Sequence, residues 1–299
     1  MYPLEINHLV KRYDQLVAVD NVHFQIEPGE IFGLLGPNGA GKTSIISCIS
    51  TLEQPTSGEV IVMGSNVARS DKRTKQLVGV VPQEIVSHGF FSIEEVLDFH
   101  SGYYGLLQNK KQIDFLLDRL ALTPHRKKRV RQLSGGMKRR LAIAKALVHK
   151  PKLLILDEPT AGVDVELRNT LWDFVEELNR DHQVAVLLTT HYLEEAEKLC
   201  KRVGVLDNGK LLEVGNTKSL IQKLTLRELT ICLKTKVSPV QSAYLVKQTD
   251  DEISLRFPNQ IPIGELLALV DDDNIKDLRI REGNLEDAFL RLVEDEPKN

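Results

Sequence analysis

Three short stretches of this sequence combine residue types that handle phosphate. The first is Gly36-Pro37-Asn38-Gly39-Ala40-Gly41-Lys42-Thr43-Ser44, three glycines ahead of a lysine and two hydroxyls. Glycines let a backbone wrap closely with its N–H groups turned inward, a lysine there reaches terminal phosphates, and the threonine hydroxyl can hold magnesium. The second, Leu153-Leu154-Ile155-Leu156-Asp157-Glu158, ends an apolar run in two carboxylates. Asp157 is suited to engage the metal, directly or through water, and Glu158 to orient and polarise an attacking water as general base. Taken alone, such a run commonly marks only a strand leaving a core. Beside the glycine-rich loop it supplies the other half of a phosphoanhydride-cleaving site. The third is Leu133-Ser134-Gly135-Gly136-Met137. A hydroxyl and two small residues at a helix start combine a donor, exposed backbone N–H groups and a favourable dipole, which suits a γ-phosphate.

These groups need rigid elements behind them. Residues 31–35 form a compact apolar run suited to a buried strand, followed by the glycine-rich turn and a helix from 42 to about 52. Further buried strands are expected at 153–157 and 184–189, which makes the class α/β. Short strands are expected near the start, through 17–22 and 23–26. Between the loop and the paired carboxylates lies a helical stretch, 92–149, in which Val96, Phe99, Tyr103 and Leu106 recur at helical spacing. It reads as an inserted helical subdomain over about 84–150. Asp164 is placed to cap a helix whose Leu167, Leu171, Phe174, Val175 and Leu178 share one face. After Lys218 the pattern changes to short strands at 228–233, 252–257 and near 280, with helices at 265–270 and 285–293. A small α+β domain over 219–299 is expected, following a first domain over 1–218.

Composition narrows the class. A net charge of −3 argues against a chain whose main task is neutralising a nucleic-acid backbone. The run Lys138-Arg139-Arg140 reads as a solvated helix face. The 3 cysteines, Cys48, Cys200 and Cys232, are far apart and unpaired with histidines at zinc spacing, which suits a reducing compartment. No secretion signal is legible at the start, and no apolar run approaches the roughly 18 residues of a membrane span.

The order and spacing of the three motifs resemble the ATP-binding cassette (ABC) ATPase family. The resemblance covers about residues 1–218 and implies a P-loop NTPase core of two lobes with ATP and Mg2+ as ligands. It also carries roles onto further positions. Tyr13 stands where the family stacks an aromatic on adenine, Gln83 where a glutamine senses the metal and the attacking water, and His191 where a histidine contacts the γ-phosphate. Asp164, in Ala161-Gly162-Val163-Asp164, resembles the loop that communicates between paired sites. Two departures are mild: Met137 replaces a frequent glutamine, and Val163 a more usual leucine. The stretches Leu-Ser-Gly-Gly-Met-Lys-Arg-Arg-Leu and Asn284-Leu-Glu-Asp-Ala-Phe289 are similar to the ABC-2 branch, chiefly exporters. The implied assembly is a homodimer on an integral-membrane permease, at the cytoplasmic face and without nucleic acid. Tandem cassettes or basic arms, which would favour a soluble repair or translation ATPase, are not seen. Intact Glu158 and His191 disfavour a scaffold that binds ATP without turnover. Phe90, Phe91 and Tyr104 are expected as apolar anchors for the membrane subunit.

Overall fold

Two of the three phosphate-handling motifs leave the same end of one parallel sheet, and the third starts a helix of the insertion. The computed structural model describes residues 1–69, 72–84, 89–161, 163 and 165–294. The chain opens with β1 (Leu4–Tyr13), β2 (Leu16–Ile26), β3 (Ile31–Leu35), α1 (Lys42–Ile49), β4 (Ser57–Val62), β5 (Ser65–Asn66), α2 (Lys72–Leu77) and β6 (Val78–Val81). A helical insertion follows, α3 (Ile93–Tyr103), α4 (Lys110–Arg119) and α5 (Gly135–Leu147). The sheet resumes with β7 (Leu153–Asp157), α6 (Val165–His182), β8 (Ala185–Thr189), α7 (Leu193–Leu199), β9 (Arg202–Asp207) and β10 (Lys210–Asn216). The last elements are α8 (Thr217–Leu224), β11 (Leu226–Leu233), β12 (Leu245–Gln248), β13 (Glu252–Pro258), α9 (Ile263–Leu267), β14 (Ile275–Arg281) and α10 (Leu285–Glu294).

The central sheet runs β10-β9-β3-β8-β7-β6. Strand β3 pairs parallel with β8 and β9, and β7 with β6 and β8. Register sets Leu34 and Asp157 each against Thr189, and Val81 against Leu156. The chain therefore emerges from β3, β6, β7 and β8 along one edge, where parallel α/β sheets bind ligands. Strands covered on both faces must be apolar throughout. Accordingly β3, β7 and β8 are buried at every residue, each Leu, Ile or Val contributing about 1.5–3 kcal/mol. A second, antiparallel sheet, β2-β1-β4-β5, shares a core with α1 and the parallel sheet. There Phe24 and Phe32 stack at 5.1 Å. The expected short strands near the start are one strand, β2, with β1 before it.

In the insertion, Ser92 and Glu95 form a reciprocal cap at the start of α3. The helix buries Ile93, Leu97 and Ser101, whereas Phe99, Tyr103 and Leu106 of the expected apolar stripe are exposed. Apolar residues occupy both faces of α3, and contact with α4 and α5 selects the other one. His100 lies behind that face. Burial, reinforced by nearby Lys145 and His149, pulls its pKa down to about 4, and its Nδ1 has no partner among the described residues. An unfolded histidine takes its proton at the ordinary 6.5. Stability from this group is therefore intact above that pH and declines as pH falls toward the folded value, by about 1–2 kcal/mol at pH 5. Thermal midpoints at pH 7 and pH 5 should differ less in His100→Gln than in the parent; an equal or larger difference would contradict this.

The chain divides into two compact units, Met1–Val214 and Gly215–Asn299. The pattern change read after Lys218 falls inside α8, the first helix of the second unit. That unit holds an antiparallel sheet, β12-β13-β11-β14, whose inward Leu229, Ile231, Ile253, Leu255 and Phe257 pack with Leu266 and Val270. Arg291 of α10 donates to the Leu224 carbonyl of α8 at 2.9 Å. Among the described residues no helix is long and apolar enough to cross a membrane.

Candidate active site

The loop between β3 and α1 has its shape fixed by close backbone approaches. A Cβ on Gly36 would lie 2.3 Å from the Leu206 carbonyl, and one on Gly41, where φ is 106°, 2.4 Å from that of Ala18. Any other residue would push the loop off its neighbours. Pro37, Asn38 and Gly39 are exposed while Ala40 is buried, so the loop is anchored beneath and open above. Lys42 is buried and donates to the carbonyls of Gly36 at 2.7 Å and Pro37 at 3.0 Å. Burial lowers its pKa, with the negative charges of Glu158 and Asp157 opposing. The Thr43 side is exposed and Ser44 half-buried, at the open end of α1.

Strand β7 delivers the carboxylates. Asp157 accepts from Thr189 Oγ1 at 2.6 Å. Its pKa is raised by burial and by Glu158, with the Thr189 bond, Lys42 and Arg139 opposing. Glu158 adopts a φ of 45°, a left-handed conformation that costs a non-glycine residue about 1 kcal/mol or more. Its N–H is held by the Thr189 carbonyl at 3.0 Å. The result is convergence on one oxygen: Gln83 Nε2 donates to Glu158 Oε2 at 2.9 Å, and His191 Nδ1 stands 3.3 Å from the same atom. Three residues remote in sequence, each leaving a different parallel strand, meet at one carboxylate.

Sequence reading missed two supports. Glu195 of α7 accepts from Thr160 at 2.7 Å and Thr190 at 3.0 Å and pairs with Arg168 at 3.3 Å, tying the segment after Glu158 to the one before His191. Arg139 is only 4% exposed and donates to five main-chain carbonyls, which corrects its reading as a solvated residue. The signal was present: Arg139 heads the buried stripe Ala142, Ile143 and Ala146 on α5, the spacing of an inward helix face.

The other expected residues lie elsewhere. Ser134 caps α5, its hydroxyl accepting from Met137 N at 3.3 Å, and with Gly135 it is exposed. A Cβ on Gly135 would meet nothing within 4 Å, so packing in this chain does not demand glycine there. Gly136 is half-buried in the first turn. Tyr13 is exposed, with Lys11 Nζ 4.8 Å from its ring centre and that lysine tied to Glu53 at 2.6 Å. Asp164 lies outside the described residues.

The model of the ABC transporter family matches residues 19–161. The linearmycin resistance ATP-binding protein LnrL of Bacillus subtilis (strain 168) is 36% identical over 315 residues, spanning 97% of this chain and 98% of the relative. The chain belongs to the ABC transporter family. Likeness to this ATP-binding protein extends through both units, and the same holds for the Nod factor export ATP-binding protein I of Cupriavidus metallidurans. That relative is 35% identical over 295 residues, 97% of each chain. A solved structure of the ATP binding subunit of an ABC transporter superposes with a TM-score of 0.69 at 27% identity, covering 74% of this chain and 92% of that one. The architecture is thus the ABC ATPase form of the P-loop NTPase fold.

Proposed function

We propose that this chain is the ATP-hydrolysing subunit of an ABC exporter, acting as a pair of copies on a separate membrane subunit. The observation that carries the reading is the convergence of Gln83 and His191 on one oxygen of Glu158, at the ends of strands of the sheet whose β3 leads into the glycine-rich loop. Full-length likeness to a protein named for Nod factor export supports the exporter assignment.

ATP is held by the loop from Gly36 to Ser44, with N–H groups and Lys42 on its phosphates. Its adenine stacks on the Tyr13 face that Lys11 leaves free. Glu158 takes the proton of an attacking water while Gln83 and His191 keep that carboxylate aimed, and His191 also meets the γ-phosphate. Magnesium suits the donor set, which is entirely oxygen and amide: Thr43, Asp157 and the Gln83 side chain. When bound it neutralises charge on the transferred phosphate. The Ser134-Gly135-Gly136 turn, exposed at its first two residues, serves the γ-phosphate of the second copy, and Asp164 belongs to the contact between copies. ABC cassettes of this kind dimerise and work with membrane subunits; a homodimer with a permease, at the cytoplasmic face, is the arrangement we infer.

The membrane subunit docks on the helical insertion. Phe90 and Phe91 are exposed, and Phe91 meets Phe99 edge-on at 5.0 Å. Tyr103 is 81% exposed. Tyr104, expected as an apolar anchor, instead stacks on His149 at 3.8 Å and forms one wall of a cavity of about 370 Å³ bounded also by Leu52, Pro82 and His100, which none of the exposed aromatics lines. Exposed aromatics carried on the insertion suit contact with a short segment of a partner. Purified chain should hydrolyse ATP with magnesium, and Tyr103→Glu should keep that rate within about twofold while reducing recovery of the membrane subunit about tenfold or more. Absent ATPase activity in the parent would refute the enzymatic reading. Unchanged recovery with both Tyr103→Glu and Phe90→Glu would move the docking surface elsewhere.

A further inference from the structure

We propose that Arg139 is a positioning residue for hydrolysis, a clamp through which helix α5 holds Gln83 and Glu158 in register with one another. Its five donors go to two chain segments. Nη1 bonds the carbonyls of Pro82 at 2.7 Å and Gln83 at 3.1 Å, where the chain leaves β6. Nη2 bonds those of Asp157 at 3.1 Å and Glu158 at 2.5 Å, and Nε that of Pro159 at 2.6 Å, where it leaves β7. The guanidinium is buried and makes no ion pair among the described residues. Its partners are main-chain positions and not charges, so what it fixes is geometry.

The two residues it holds by their backbones also meet through their side chains, Gln83 Nε2 to Glu158 Oε2 at 2.9 Å. One planar group thus closes a ring: α5 to the Gln83 backbone, across the side-chain bond, and back through the Glu158 backbone. The clamp also meets Glu158 where its backbone is strained, at φ 45°, a conformation that persists only when surroundings over-determine it. Arginine is suited to this because its five N–H donors lie in one rigid fork, whereas lysine concentrates three at one point and cannot span both segments.

Position gives the clamp a second consequence. Arg139 and the exposed Ser134-Gly135 turn belong to one helix and its cap, so displacement of α5 at that turn reaches the catalytic glutamate of the same chain. The clamp thereby joins the phosphate contact offered to a second copy to the aim of the carboxylate within this one. Because its five donors are all taken up by main-chain carbonyls, Arg139 acts through Gln83 and Glu158. This rests on the reading of Glu158 as general base.

The experiment uses the full chain with ATP and magnesium, and compares Arg139→Lys and Arg139→Gln in the parent and in Glu158→Gln. Misplacement of reacting groups by a fraction of an ångström to an ångström costs about 10- to 100-fold in rate. We expect kcat to fall by about that factor, with ATP affinity changed less than about threefold. In Glu158→Gln, whose residual turnover no longer needs the aimed carboxylate, the same substitution should cost less than about twofold, a non-additivity that general damage does not produce. A folded variant with parental kcat overturns the proposal. So does an equal penalty in both backgrounds, or parallel loss of kcat and affinity. Arg139→Lys retains charge and several bonds where Arg139→Gln leaves carbonyls bare; failure of both to fold assigns the clamp to stability and overturns it too. If Glu158→Gln itself turned over at the parental rate, the general-base reading would fall instead, while the clamp would still be judged by the kcat and affinity of the single variants.

Discussion

Glu158→Gln is expected to lower ATP turnover by about two to four orders of magnitude, the usual contribution of a general base. The substitution is close to isosteric, and the amide oxygen can still accept the Gln83 bond now made by Oε2 at 2.9 Å. The backbone contacts of residue 158 with Thr189 and Arg139 do not involve the side chain. The loop keeps its hydrogen bonds, because Lys42 bonds Gly36 and Pro37 and not Glu158. ATP affinity should therefore stay within about threefold of the parent, since no phosphate contact is lost. Steady-state phosphate release beside equilibrium binding of a fluorescent ATP analogue separates the two quantities. Parental turnover at saturating ATP would remove Glu158 from the role of base.

The parts of the site that were legible in the sequence are those whose chemistry is local. The loop from Gly36 to Ser44 and the strand ending at Asp157 carry their residue types in uninterrupted runs, because a buried parallel strand must be apolar throughout. Strands β4, β6, β9, β10 and the short edge strand β12 were not anticipated, nor was a separate β1: runs this short do not distinguish strand from helix by period, and β12 is half-exposed. Helix α3 offered two apolar faces, and periodicity alone could not choose the one that α4 and α5 bury. Arg139 was misread for a related reason. A basic residue among basic neighbours looks solvated; the inward stripe on α5 marks Arg139 as buried, but that five main-chain carbonyls converge on it belongs to the tertiary arrangement. The meeting of Gln83 and His191 on one oxygen of Glu158 likewise belongs to strand order, which β7 and its neighbours determine together.

The pairing of two copies makes the remaining large prediction. In Glu158→Gln, where ATP is held and hydrolysis is slowed, magnesium and ATP should shift the chain from monomer to dimer in light scattering. Ser134 and Gly135 are exposed, and the space above Gly135 is empty of this chain's own atoms. If that space receives the other copy's γ-phosphate, a second substitution at Ser134 should abolish the shift. Ser134→Arg fills it with bulk but also removes the helix cap from Met137 N, which costs about 0.5–2 kcal/mol by itself. Ser134→Asp resolves that ambiguity, because aspartate caps a helix as well as serine does while setting a negative charge against phosphate. Loss of a hydrogen bond to a charged group is worth about 1.5–3 kcal/mol, or roughly 10- to 100-fold in affinity, before repulsion is added. Both variants should therefore stay monomeric with ATP at concentrations where Glu158→Gln alone is dimeric. If Ser134→Asp still dimerised with ATP while only Ser134→Arg failed, the effect would belong to the cap, and the turn would not be a phosphate site.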